Sequence, residues 1–499
     1  MSRVRLATGD CLERLKKLPD NSIDLIVTDP PYGLTSVDPK KPGGGSGKSG
    51  FMGQKWDAAV PSVDIWKVCL QKLKPGAFAF ILCSPRQDCL ARMILNLEEA
   101  GFVTGYSMIS WVYATGFPKA ASLSKLADRR AGAEREVVGT KDRLNQQTKP
   151  CHKMGYSGPM REQNDALNIT APSTPEAKAL DGSFSGFQPK PAQEPILCVM
   201  KPIEHPTYLD QALDNNHGCT WLDNCRIPTG ENLDGGGHSK NKGERWDGDE
   251  HWRMKTGGAG PYVQPTGRFP ANVLCSDDVL NDGRDRHGAG SARFGMRDTS
   301  GEAKGMFGGH GAGGHRFGDS GSFSRYFDLD AWFAQRIGEL PKEVQRVFPN
   351  LLVAKPSKRE KNAGLEGTTK RAKREVYGDG FSTATKVDPV LRTEAGKDAR
   401  PLHANHHVSV KPVKLMSYLI TLGSREGETV LDPFMGSGTT GVAAVVLNRN
   451  FIGCELDPEF VEISRRRIQH AKETGVLPGT EKPKLKKKKP ASPGLWEKR

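Results

Sequence analysis

Asp29-Pro30-Pro31-Tyr32 places a carboxylate, a rigid turn with outward carbonyls and an aromatic ring within four residues. An exocyclic amine on a nucleobase is a poor nucleophile, because its lone pair is delocalised into the ring. Two acceptors aimed at its two N–H bonds favour a more pyramidal, more nucleophilic nitrogen. Asp29 can supply one acceptor and the Pro30 carbonyl the other, while Tyr32 offers a face on which a flipped base stacks. The plainer alternative for the same residues is a Pro-Pro turn that ends a strand, with Asp29 capping it.

A second set lies near the other end of the chain. Asp432-Pro433-Phe434 runs into Met435-Gly436-Ser437-Gly438-Thr439-Thr440-Gly441. Glycines between a strand and a helix let the backbone approach a nucleotide closely. The Lys that a phosphate-cradling loop requires is absent, which argues against triphosphate binding. Glu455 follows Gly438 by 17 positions, a spacing that suits a carboxylate reaching ribose hydroxyls. Gly43-Gly44-Gly45-Ser46-Gly47-Lys48-Ser49 imitates a Walker loop, but its required first glycine falls on Pro42 and no clear strand precedes it. It reads better as a mobile loop able to close over a flipped base. Deleting Gly43–Gly47 should then hurt turnover more than cofactor affinity, and equal loss of both would argue against a lid.

These residues need elements to hold them. Ile23–Thr28 is short, β-branched and apolar, the pattern of a buried strand, and the two prolines must end it. Val4–Ala7 and Phe451–Leu456 read as further strands, as does Thr429–Phe434, and strand signal returns at Ile196–Val199. Asp10 stands ready to cap a helix over Cys11–Leu18. A helix over roughly Pro458–Ala471 puts Phe460, Val461, Ser464 and Ile468 on one face, so it should pack on a sheet. Joined in thought to Val4–Ala7, it would continue a βα alternation into the Asp29 strand. Both chain ends then build one mainly parallel sheet, and neither should fold well alone.

Asp-Pro-Pro-Tyr together with Asp-Pro-Phe-Met-Gly-Ser-Gly-Thr-Thr resembles the amino-group DNA methyltransferases that use S-adenosylmethionine, and the motif order resembles their β class. The segments Phe51–Asp57, Gly116–Lys119, Lys190–Ile196 and His407–Pro412 resemble phage and prophage members, with Val408 and Ser409 where the family usually has Pro and often Thr. The resemblance covers residues 1–120 and about 350–470, with scattered islands between. It implies that Asp29, Pro30, Pro31 and Tyr32 hold and activate the target amine. It further implies that Asp432, Phe434, Gly436, Gly438 and Thr439 line the cofactor, that Glu455 binds its ribose, and that Asp10 approaches its adenine. His407, Ser409 and Lys411 would contact its methionine end. The implied fold is α/β, a circularly permuted Rossmann-like methyltransferase with a loop-rich inserted target-recognition region. The spans are a catalytic half at 1–120, the insertion at 121–350, a cofactor-binding half at 351–471 and a basic tail at 472–499. Adenine N6 is the expected acceptor, since cytosine N4 relatives more often carry Ser in place of Asp29. A cytosine N4 enzyme, an idle DNA-binding relative and an RNA methyltransferase are the alternatives.

Composition fits this picture. The 499 residues carry a net charge of +14 and a pI near 9.2, which suits a polyanionic partner such as double-stranded DNA. From Lys472 to Arg499 nine Lys and Arg face three Glu, so +6 belongs to a Pro- and Lys-rich tail and +8 to the rest. Between Gly230 and Gly321, 23 of 92 residues are glycine, too many for a conventional core. Within that stretch Trp246, His251, Trp252, Arg253 and Tyr262 interleave cationic and aromatic groups, which suits DNA contact. Ten cysteines form no Cys-x-x-Cys pair. A zinc site from His217, Cys219 and Cys225 is conceivable, but no metal is expected. No long apolar run or signal peptide is apparent, so a cytoplasmic protein of prokaryotic or phage origin with reduced cysteines and no membrane partner is expected. A homodimer and a separate restriction endonuclease stay open as partners.

Overall fold

The computed structural model describes residues 2–35, 55–113, 120–140, 168–187, 192–229, 265–276, 280, 323–338, 358–368, 404–407 and 409–474. Its strands are β1 (Val4–Thr8), β2 (Ile23–Thr28), β3 (Leu73–Leu82), β4 (Ile109–Val112), β5 (Val137–Thr140), β6 (Asn168–Thr170), β7 (Gln193–Met200), β8 (Val273–Cys275), β9 (Thr429–Asp432) and β10 (Asn450–Glu455). The chain divides into two compact units. One comprises Met1–Ala114, Gln193–Thr368 and His407–Arg499; the other comprises Thr115–Ala192 and Thr369–His406.

In the first unit the described residues form an eight-stranded sheet in the order β1-β10-β9-β2-β3-β7-β4-β8. The first five strands are mutually parallel, and β7 runs antiparallel to both β3 and β4. This is the expected α/β fold in its permuted form. β1 pairs with β10 and β2 with β9, so strands from opposite chain ends interleave at the centre. The helix Pro458–Thr474 packs on β1, where an unpermuted chain would run straight on. From β9 the chain moves to β10 on one side, while β2 leads to β3 on the other. The carboxyl ends of β9 and β2 thus flank a topological switch point, where open α/β sheets bind ligands.

Side-chain alternation explains the layering. On β3, Phe78, Phe80 and Leu82 face one core with the helices Val413–Gly423 and Thr439–Val446. Ala77, Ala79 and Ile81 face the other, with Trp66 and Cys69 of the helix Val63–Lys72 and Met93 and Leu97 of the helix Gln87–Glu99. Covered on both faces, β2 is buried along its whole length, hence its mostly apolar sequence, in which the one carboxylate, Asp24, is paired with Lys74 and His217. Every residue of Val413–Gly423 is buried. A Cβ on Gly423 would meet Leu25 Cδ1 at 2.5 Å, so only glycine lets this helix approach β2 so closely.

Several boundaries differ from the sequence expectation. The helix after Asp10 stops at Leu15, because Pro19 disfavours helical geometry before it and Leu18 N closes a tight turn onto Leu15 O. β9 ends at Asp432 rather than Phe434, because Pro433 has no N–H and the Asp432 side chain takes the Phe434 N–H. The units also divide the chain differently from the four expected spans. β7 and β8 fall inside residues 121–350 yet complete the sheet of the first unit, because the apolar run Ile196–Val199 finds its partners on β3.

The second unit pairs β5 with β6 and packs the helices Leu123–Ala131 and Pro175–Ala179 together. Its buried Asp128 is paired with Arg135 and accepts from the Ser173 and Thr174 backbone N–H groups.

Candidate active site

The Pro-Pro turn lies at the carboxyl end of β2, and side chains from four chain segments meet there. Asp29 Oδ1 accepts from Tyr32 Oη at 2.5 Å. Asp29 Oδ2 accepts from Ser409 Oγ at 2.8 Å and from Lys411 Nζ at 2.6 Å. Glu194, on β7, faces the same group, with Lys411 Nζ at 3.5 Å and the hydroxyls of Tyr32 and Tyr113 at 3.4 Å and 3.3 Å. Lys411 also lies 5.4 Å from the centre of the Tyr32 ring. Burial works against the Lys411 charge, but the Asp29 and Glu194 carboxylates outweigh it and hold its pKa above the ordinary lysine value. Burial, then the charges of Asp29 and Glu194, push Tyr32 well above an ordinary phenol, so it stays a neutral donor.

The turn itself is clamped from below. Asp57, only 2% exposed, accepts from the backbone N–H groups of Tyr32 at 2.7 Å and Gly33 at 2.9 Å. Arg86, at the head of Gln87–Glu99, donates to the carbonyls of Thr35 and Gly33.

The glycine-rich turn forms a second cluster next to it. Asp432 is 3% exposed and fully engaged, its Oδ1 accepting from Thr28 Oγ1 at 2.6 Å and its Oδ2 from Thr440 Oγ1 at 2.7 Å. The first of these bonds ties β2 directly to β9. Gly436 has φ +51° and Gly438 φ +78°, and a Cβ at Gly436 would stand 2.8 Å from His407 Nε2. His407 packs edge-on against Phe460 and accepts the Ser409 N–H at Nδ1. Glu455 accepts from the Gly436 N–H at 2.9 Å and the Asp457 N–H at 3.0 Å. From Pro458–Thr474, Ser464 donates to Gly436 O, while buried Arg467 donates to Ser437 O and lies 3.3 Å from Thr439 Oγ1. Phe434 meets Trp66 edge-on at 6.2 Å.

Asp29, Tyr32, Ser409 and Lys411 therefore share one cluster, and Asp432, Gly436, Gly438, Thr439, His407 and Glu455 share the adjoining one. Asp10 follows β1, whose Thr8 pairs with Glu455, and its carboxylate caps the helix Cys11–Leu15 through the Glu13 N–H. Ser409 and Lys411 touch Asp29 itself, a contact that spacing could not foretell. Glu194 and Asp57 had no assigned role; each is the acidic residue of a segment that carried the family resemblance, and that was the available signal.

His217, Cys219 and Cys225 hold separate partners. His217 Nε2 lies 3.1 Å from Asp24 Oδ1, Cys219 Sγ contacts Asn216 O, and Cys225 Sγ contacts Tyr418 O. Asp24 is joined there by Lys74 at 2.5 Å, and Glu428 lies nearby. The loop Gly43–Ser49, the segment Gly116–Lys119, Val408, the residues Trp246, His251, Trp252, Arg253 and Tyr262, and the tail beyond Thr474 lie outside the described residues.

Residues 326–466, which contain the glycine-rich turn together with His407, Glu455 and Ser464, match a family model described as DNA methylase of the N6/N4 type. This segment belongs to that family. The chain also has curated relatives. The Type II methyltransferase M2.MboI of Moraxella bovis is 44% identical over 81 residues, 16% of this chain and 29% of its own. The DNA adenine methyltransferase YhdJ of Escherichia coli K12 is 41% identical over 66 residues, 13% of this chain and 22% of its own. The chain thus spans less than a third of the length of these relatives. Among solved structures, the PvuII DNA methyltransferase (cytosine-N4-specific) aligns over 93% of this chain and 86% of its own at 13% identity. Its TM-score of 0.36 is too low to carry an argument. Among the described residues no helix is long and apolar enough to cross a membrane.

Proposed function

We propose that the protein is a site-specific DNA methyltransferase acting on adenine N6 in duplex DNA, with S-adenosylmethionine as donor. One observation carries this: the hydrogen bond between Thr28 and Asp432 sets the Asp29 turn beside the glycine-rich turn at the sheet's switch point. The glycine-rich turn fits the donor. Gly436 and Gly438 hold the turn at positive φ with His407 and Ser464 packed where Cβ atoms would stand, and the carboxylates of Glu455 and Asp10 at neighbouring strand ends suit ribose hydroxyls and an adenine amine. Phe434, Thr439 and His407 complete that lining. When bound, S-adenosylmethionine supplies a methyl group made electrophilic by its sulfonium.

The protein's own part is to orient the acceptor. A carboxylate offers about four lone-pair directions, and three donors reach Asp29, so one direction remains for an amine N–H. The Pro30 carbonyl takes the second N–H, with the turn fixed by Asp57 and Arg86. The amine attacks directly, so no covalent enzyme intermediate is needed. Asp29 at the head of the tetrapeptide favours adenine, and the relative named as an adenine methyltransferase points the same way. Residues 121–350, apart from the sheet strands β7 and β8, would carry target recognition. Asp29→Ala should abolish methyl incorporation into DNA while changing cofactor affinity less than about threefold. A variant with near-normal incorporation would sink the assignment.

A further inference from the structure

One lysine between two carboxylates is an unexpected arrangement for a site that must attract a proton-bearing amine. Lys411 is 7% exposed and stands 2.6 Å from Asp29 and 3.5 Å from Glu194, whose side chains are 14% and 16% exposed. Paired with Lys411 alone, Asp29 would be electrically cancelled. Two carboxylates and one ammonium instead sum to −1. In the transfer, the S–CH3 bond breaks with its electron pair left on sulfur, the N–CH3 bond forms, and the positive charge moves to the amine nitrogen before its proton leaves for solvent. A fixed negative charge beside that nitrogen stabilises the charge as it arrives. We propose that Glu194 is a charge-setting positioning residue: by sharing Lys411 with Asp29, it keeps the group facing the target amine at a net charge of −1.

Tyr113 and Tyr32 hold the Glu194 carboxylate in place at 3.3 Å and 3.4 Å. These contacts need its shape, whereas the sharing of Lys411 needs its charge. Glu194→Gln separates the two, since glutamine retains the size and an acceptor oxygen. The inference rests on the proposed methyl transfer, and the test tells the two apart. On long unmethylated duplex DNA of mixed sequence at saturating cofactor, Glu194→Gln should lower the single-turnover rate about 100-fold, with thermal unfolding and cofactor affinity close to wild type. Adding Lys411→Met restores a net −1 and should recover at least about tenfold of that loss. An unchanged rate in Glu194→Gln, or a double variant no faster than it, overturns the charge role. Independently of activity, the Lys411 ammonium followed by 15N NMR should titrate at lower pH in Glu194→Gln than in wild type; an unmoved midpoint also overturns the inference. A wild-type protein that methylates no DNA overturns the proposed function, while the NMR shift still decides the sharing of Lys411.

Discussion

Asp29 and Asp432 end adjacent parallel strands, yet their surroundings give them different work. Asp29 accepts from side chains that gather around the Pro-Pro turn, Tyr32, Ser409 and Lys411, whereas both Asp432 oxygens are turned inward to Thr28, Thr440 and the Phe434 N–H. Burial outweighs these donors and pushes the Asp432 pKa up to about 6, from 3.8. Between about pH 4 and 6 the folded protein therefore binds the proton more tightly than the unfolded chain, and the contribution of Asp432 to stability falls as pH rises through that window. Against the non-titrating Asp432→Asn, wild type should lose about 2 kcal/mol of relative stability from pH 4 to pH 7. Urea unfolding at both pH values measures this, and a constant difference would refute it. The sequence made Asp29 and Asp432 visible because each ends an apolar run beside proline or glycine. Glu194 and Asp57 have no such signature, since their roles arise from β7 lying antiparallel beside β3 and from a short turn folding under Gly33.

At the scale of elements, the site depends on two short turns held by partners distant in sequence. Asp57 fixes the Pro-Pro turn through two backbone N–H groups, and Ser464 and Arg467 fix the glycine-rich turn from the helix Pro458–Thr474. Asp57→Ala removes a charged acceptor from both N–H groups and lets the tetrapeptide drift. Turnover should fall about 100-fold, as misplacement of reacting groups by about 1 Å does. Cofactor affinity should hold, because Asp57 grips the catalytic turn itself, through the Tyr32 and Gly33 N–H groups. Equal loss in both measurements would show that the clamp does not act through the catalytic turn. The apolar face of Pro458–Thr474 was legible from its period. The burial of Arg467 on that face was not, because a charged residue reads as solvent-facing until the carbonyl of Ser437 is seen to meet it.

For the whole molecule, the permuted order makes each chain end the other's missing half. β1 has β10 as its only described sheet neighbour, and β2 relies on β9 for one edge. A fragment ending at Tyr113 should thus lack cooperative unfolding, and adding a second fragment from His407 onward should restore part of it; circular dichroism during heating reads both outcomes. A cooperative transition in the first fragment alone would contradict the interleaved sheet. The parallel centre of the sheet was legible because buried strands carry continuous apolar runs. The place of β7 was not, because an apolar run carries no sign of strand direction. The central claim is chemical, and one measurement reaches it most directly. Unmethylated duplex DNA incubated with the protein and S-adenosylmethionine, digested to nucleosides and analysed by mass spectrometry, should contain N6-methyladenine that is absent with Asp29→Ala. N4-methylcytosine in its place would contradict the adenine assignment, and no methylated base at all would contradict the account of the site.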